Sequence, residues 1–368
     1  MSMVISHLRI KTLITYLSAR LPTRAAQKII KKAGIKTGRS IEDTILYVEE
    51  MTEEKARRAF RKLRNSVENA HLFGAKALRI LKIKESEKHL VKEFFDSFTP
   101  NNSIQSVRSY PKPLSEKSLK KEEFSIPQFI KKYPSVNGSL LVFSFKHQVS
   151  YRDVYESNLE DEFGEIASKY DKIIAIREKE IQFFNSIFIS DNYEYIELRI
   201  DLADILGVTV LKEVLDKFES QIDSAFFKKY KQPLPTGKVN FFPMIHEIYE
   251  QDDDGYVFDL AFQCPTGANR RENLSSFGKE IDIKDLRQED YHVAGTNQIG
   301  HIFTPYKIGV YWDPEITEDA VTGSPKLILS GNLLMAKGSA DILDYAIISN
   351  SIDENDFNYV ISAIHEYV

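Results

Sequence analysis

Beyond about residue 124 the chain places one short apolar run after another, with little between them. SLLVFSF (139–145) follows an Asn137-Gly138 turn signal, and KIIAI (172–176), EIQFF (180–184) and YEYIELRID (193–201) come next. After PLPTGK follow VNFF, GYVFDLAF, KIGVYW, PKLILS and YAIIS. Parallel neighbours need a crossover of a dozen or more residues, whereas antiparallel neighbours need only a hairpin. The spacing therefore predicts an α+β fold with mainly antiparallel sheet rather than a doubly wound one. In the fourth run Ile196, Leu198 and Ile200 alternate with Glu197, Arg199 and Asp201, the pattern of one half-buried face. A helix is expected near 209–223, where Leu211, Val214, Leu215, Phe218 and Ile222 share a stripe. Another is expected from about Asp353, with Phe357, Val360, Ile361 and Ile364 inward.

Residues 1–100 carry a different pattern and are expected to be helical throughout. In TEEKARRAFRKLRNSVENAH, Thr52 is placed to cap a helix with Glu53 and Glu54 in its first turn. Ala56, Phe60, Leu63 and Val67 then form one apolar face. TPNNSIQSVRSYPKPLSEKSLKKEE (99–123) is rich in turn formers and charge. The expected organisation is a basic helical domain (1–100), a linker (101–123), an α+β lobe (124–240) and a β-rich α+β lobe (241–368) ending in a helix.

Charge divides the chain the same way. Residues 1–100 hold 21 Lys or Arg against 11 acids and the remainder 28 against 43, segment charges of +10 and −15 within a total of −5. Such asymmetry bears on partners rather than fold. Arg57, Arg58, Arg61, Lys62 and Arg64 follow the apolar face of the 52–71 helix as a continuous basic arc. Lys76, Arg79, Lys82 and Lys84 extend it on what reads as the next helix. These nine residues are the candidate contacts to nucleic acid, through backbone and shape rather than sequence. Residues 23–50 mimic a helix-turn-helix with Gly34 near the turn, but Glu42, Asp43, Glu49 and Glu50 on its second helix would repel a duplex. Two other uses of the basic arc stay open: docking on an acidic protein surface, this chain's own body included, and plain solvation.

FDLAFQCPTGANRRE (258–272) contains the single cysteine and spells C-x-x-G-x-x-R from Cys264 to Arg270. This spacing resembles the phosphate-binding loop of the cysteine-based phosphatases, although Gln263 and Arg271 depart from that family's flanks. The resemblance implies a Cys264 nucleophile, a tight turn at Gly267 and phosphate binding by Arg270. The alternative is a packed or incidental thiol.

Other motifs fall short of chemistry. Thr236-Gly237-Lys238 lacks the first glycine and the magnesium-holding hydroxyl of a nucleotide loop, with Gln232 and Val239 in those places. His246, Glu247 and Glu250 lack the second histidine of a zinc protease. Asp252-Asp253-Asp254-Gly255 lacks the twelfth-position carboxylate of a calcium loop, Gln263 standing there. His292, His301 and Trp312 share no ligand spacing. No metal or cofactor is expected, and no membrane span.

One cysteine excludes an internal disulfide and points to a reducing, cytoplasmic setting. The nine Lys or Arg before Glu42 give a mitochondrial presequence as the alternative. The sequence thus predicts a non-catalytic accessory or regulatory protein, with nucleic acid at its basic end and a protein partner, ligand or second copy at its acidic body. The cysteine phosphatase and a purely protein-docking factor are the alternatives. A place in regulation or genome defence is an expectation from this layout alone.

Overall fold

A computed structural model describes the chain apart from residues 1, 123–126, 157–163, 165–168, 203–207, 252–254, 275–283, 314–322, 340 and 368. Four helices open the chain: α1 (Ser2–Arg20), α2 (Thr23–Lys32), α3 (Ile41–Glu49) and α4 (Glu53–Phe73). Their apolar faces close a core of their own, in which Ile10, Ile14, Leu17, Val48, Ala56, Leu63 and Val67 are buried. Thr52 occupies the N-cap of α4 with extended backbone, but its side chain makes no capping bond. Ser40 does cap α3, in a reciprocal box with Asp43.

The next segment is a strand, β1 (Lys76–Ile83), not the helix expected at 76–84. Then come α5 (Lys88–Asp96), α6 (Gln105–Ser109), α7 (Glu116–Leu119) and the strands β2 (Gln128–Ser135), β3 (Gly138–Tyr155), β4 (Ile173–Ser190) and β5 (Tyr195–Asp201). A long helix α8 (Val208–Tyr230), β6 (Thr236–Lys238), α9 (Phe242–Glu250), β7 (Tyr256–Gln263) and β8 (Asn269–Asn273) follow. The chain closes with α10 (Asp290–Gln298), β9 (Thr304–Tyr311), β10 (Lys326–Ser330), α11 (Leu333–Ala336), β11 (Ala346–Ser349) and α12 (Glu354–Glu366). The class is α+β, as expected.

All eleven strands belong to one antiparallel sheet in the order β2-β3-β4-β5-β1-β11-β10-β9-β7-β8, with β6 pairing β1. The strand contributed by the basic segment therefore lies in the middle, between β5 and β11. The same sheet runs through the two stretches read as separate lobes. VNFF is not a strand: the pairing falls on Thr236–Lys238, and Phe242 opens α9 with Pro243 in its first turn. KIIAI and EIQFF are one 18-residue strand, paired with β3 along its whole length. The intervening Arg177, Glu178 and Lys179 are exposed on the outer half of this hairpin, which is why the apolar pattern lapses there.

Both faces of the sheet centre are covered. Leu211, Val214, Leu215, Phe218 and Ile222 of α8 are buried against one face, as their spacing predicts. The other lies under α1, α4 and α12, so Glu197, Arg199 and Asp201 are buried where a solvated edge of the alternation was expected. They are tolerated because each is paired. Asp201 meets Arg20 of α1 and, across the strand pair at 3.5 Å, Lys76 of β1. Burial opposes ionisation of Asp201, but Arg20 and then Lys76 outweigh it and hold the carboxyl far below its ordinary range. Burial also pushes the Lys76 ammonium down, to about 8, against the pull of Asp201.

Asp201→Asn leaves Arg20 and Lys76 buried without their counter-charge, and should destabilise the protein by about 3–5 kcal/mol in urea unfolding at pH 7. The lowered carboxyl contributes stability that is complete above its unfolded value of about 3.9 and is lost as pH falls below it. Acid unfolding should accordingly lose part of its steepness below about pH 4 in this variant; an unchanged acid limb would refute the assignment.

Candidate functional site

The segment read as a linker is folded onto the body. Tyr110 is buried against Phe184, their ring centroids 5.1 Å apart, and Leu119 is buried as well. Pro111 O accepts a 2.8 Å hydrogen bond from His71 Nε2 of α4, and Leu114 N donates to Gln182 Oε1 of β4 at 2.7 Å. A carbonyl only accepts, so Nε2 carries the His71 proton and Nδ1 faces the Tyr16 hydroxyl at 3.3 Å. Burial, reinforced by Arg20, keeps this imidazole neutral, well below its ordinary pKa. Tyr16 also receives Arg20 Nη1 at 2.7 Å, so the docked segment is joined to Asp201 through His71, Tyr16 and Arg20.

This docking carries Arg108 and Lys112 over the groove between α1 and α4. A cleft of about 350 Å³ results, lined by Arg9 and Leu13 of α1, Phe60 and Arg64 of α4, and Arg108 through Lys112. Its volume falls in the ordinary range for ligand sites. Leu13, Phe60, Tyr110 and Pro111 supply apolar walls, and Thr12 and Ser109 add hydroxyls. Four cations thus converge on one hollow. All four are exposed, and no carboxylate stands within ion-pair distance of any of them among the described residues. Glu68, one turn beyond Arg64, is engaged by the Tyr133 hydroxyl and, at 3.7 Å, by Lys131. Low-dielectric walls around charge of one sign concentrate its field on an incoming anion.

The expected basic arc divides into unlike parts. Arg57 and Arg58 are exposed but engage Glu53 and Glu54 one turn back, Arg57 at 2.6 Å. Lys62 Nζ donates to Lys32 O at the C-terminal end of α2, at 3.1 Å. Arg61 is exposed and Arg64 lines the cleft. Lys76 and Arg79 are fully buried in β1 and leave the candidate surface. Arg79 meets Asp216 at 2.9 Å, Glu219 at 2.5 Å and Asp344 at 2.7 Å. Lys82 and Lys84 are exposed at the end of that strand. Arg9, Arg108 and Lys112 were not anticipated; basic residues flanking Tyr110-Pro111 in the supposed linker were the available signal.

The helix-turn-helix likeness also ends here, because residues 33–40, with Gly34 at φ +89°, form a longer connection than that motif uses. Glu42, Asp43 and Glu49 of α3 and Glu50 at its C-cap are exposed, and Glu49 pairs with Lys11.

Cys264 does not begin a phosphate-binding loop. Its N–H donates to Ala268 O at 2.8 Å and that of Gly267 to Cys264 O at 2.9 Å, so both are spent inside a β7–β8 hairpin turn. Gly267, at φ +82°, serves that turn. Arg270 continues directly into β8 opposite Phe262 and is exposed, while Arg271 pairs with Asp259 at 3.2 Å. Asp252 to Asp254 lie outside the described residues. His246, Glu247 and Glu250 are exposed on α9, and His292 is buried between Glu272 and Tyr249 at 2.5 and 2.9 Å. No group of three metal-ligating side chains occurs among the described residues, nor does any of their helices have the length and apolarity to cross a membrane.

Compared with protein-family models the chain matches none, and compared with curated proteins it matches none.

Cys264→Ser should leave the unfolding free energy within about 0.5 kcal/mol of the parent. Any turnover of an aryl phosphate should also be the same in both; its loss in the variant would restore the cysteine to a mechanism.

Proposed function

We propose that the protein is a nucleic-acid-associated accessory factor that holds the phosphate backbone in the cleft formed by Arg9, Arg64, Arg108 and Lys112. Its acidic body then remains for a protein partner or a second copy. The observation that carries this reading is the convergence of four exposed cations without carboxylate partners, from three chain segments, around an apolar and aromatic hollow. Surface cations at random positions are commonly paired or dispersed, as Arg57 and Arg58 are. Backbone phosphates would be met by the guanidinium forks, with Thr12 and Ser109 as further donors. Arg61 extends the positive surface along α4. Contact of this kind is indifferent to base sequence and strongly dependent on salt.

Part of the N-terminal charge has another use. Arg20, Lys76 and Arg79 pair with acids of the body, which accounts for some of the charge asymmetry by intramolecular docking. The cations of the cleft take no share in this.

Fluorescence anisotropy with duplex and single-stranded DNA and RNA, at several salt concentrations, tests the proposal. Reversal of Arg9, Arg64 and Arg108 to Glu should weaken duplex binding at least ~10-fold and lower the slope of log K against log salt by about 3. Reversal of Arg57 and Arg58, already paired, should have the smaller effect. Absence of binding at low salt, or equal effects of the two sets, would reject the cleft.

A further inference from the structure

The β3–β4 hairpin outlasts the strands on either side of it. β2 pairs with β3 only over 138–144 and β5 with β4 only over 186–189. Beyond those limits, among the described residues, each strand of the hairpin has the other as its one neighbouring strand. A strand edge in that condition is a template for a strand from another chain, and is ordinarily guarded by charge. This arm is not guarded throughout. Val154, Ile174 and Ile176 are 47, 39 and 71% exposed. Ile174 stands opposite Val154 and two residues from Ile176, so the three share one face.

The sequence along the outer edge of β4, Asp171-Lys-Ile-Ile-Ala-Ile-Arg-Glu-Lys179, is complementary to itself. Two antiparallel copies related by a two-fold axis normal to the sheet keep their faces aligned, so a residue meets one of the same parity in the other copy. With the axis at Ala175, Ile174 of each copy meets Ile176 of the other, and the two Val154 side chains flank them in one aliphatic patch. Further along, Lys172 meets Glu178 and Asp171 meets Lys179, each pair occurring twice. Opposite charges directly across a strand pair stabilise it, and like charges do the reverse. The ion pairs that the arm makes within its own chain are Lys146–Glu180, Lys172–Glu156 and Arg177–Asp153, which leave out Asp171, Glu178 and Lys179 among the described residues. Glu178 is met by the Gln148 amide rather than by a cation. Moving the axis by one residue loses the match. At Ile176 it sets Ile174 against Glu178, and at Ile174 it sets Ile176 against Lys172. The edge of β3 is interrupted by Arg152 and Asp153 and offers no comparable apolar run.

We infer that the chain forms a two-fold dimer in which residues 171–179 pair, antiparallel and centred on Ala175, with the same residues of a second copy. None of the four cleft cations lies on this arm, so the dimer and the cleft are tested separately. The contact is small, and sedimentation of the full chain should give a Kd on the order of 10 µM. Ala175→Cys in a Cys264→Ser background reports the register. Directly opposed Cα atoms lie about 4.5–5.5 Å apart, within disulfide reach, whereas position 177 is about 13 Å from its own copy. Mild oxidation should therefore link Ala175→Cys into a covalent dimer and leave Arg177→Cys unlinked. Ile176→Lys, on the exposed arm, should weaken association at least ~10-fold with the unfolding midpoint unchanged. Asp171→Lys should weaken it roughly 5-fold, and Lys179→Asp added to that variant should restore it. A monomer at about 100 µM, equal cross-linking at 175 and 177, or failure of Lys179→Asp to rescue Asp171→Lys would overturn the inference.

Discussion

Asp201 is the point at which two separately cored parts of the molecule become one. Arg20 reaches it from the first helix and Lys76 from the central strand, and Asn185 Oδ1 accepts the Asp201 backbone N–H at 3.1 Å. Through Arg20 the same carboxylate orders Tyr16, then His71, then the Pro111 carbonyl. The basic cleft depends on that chain of contacts, because two of its four cations belong to the segment that Pro111 anchors. Charges buried at the interface thus set the positions of charges displayed at the surface. An apolar interface of equal area would bury the helices comparably but would fix their register less specifically, a use of buried ion pairs that has support in other folds.

The parts of the fold legible in the sequence are those in which local pattern and burial agree. The stripes of α8 and α12 are of this kind, since every apolar residue in them faces the core. β1 was illegible for the opposite reason. Lys76, Arg79 and Lys82 interrupt its apolar run, and the first two are buried only because acids distant in the chain meet them. Glu197, Arg199 and Asp201 misled in the same way, since strict alternation ordinarily marks a wet face. The long β3–β4 hairpin was read as separate pieces because its outer half has no core to pattern against.

The same logic applies to the sites. Arg64 could be placed from the periodicity of α4, but its companions Arg9, Arg108 and Lys112 come from segments whose convergence is a tertiary fact. The Cys264 motif failed because a spacing of residue types does not specify the backbone between them: CPTGANR closes a hairpin and spends its N–H groups on its own carbonyls.

The position of β1 also bears on how the molecule is made. Residues 76–78 must pair on one side with 199–201 and on the other with 346–348, so the middle of the sheet stays incomplete until about 270 further residues have been synthesised after β1. During that interval β1 is a strand with two open edges, the condition in which chains pair with the wrong neighbours. Lys76 and Arg79 then have a second consequence. Until Asp201, Asp216 and Glu219 arrive they are uncompensated cations within the strand, and they penalise any premature partner that cannot supply the matching acids.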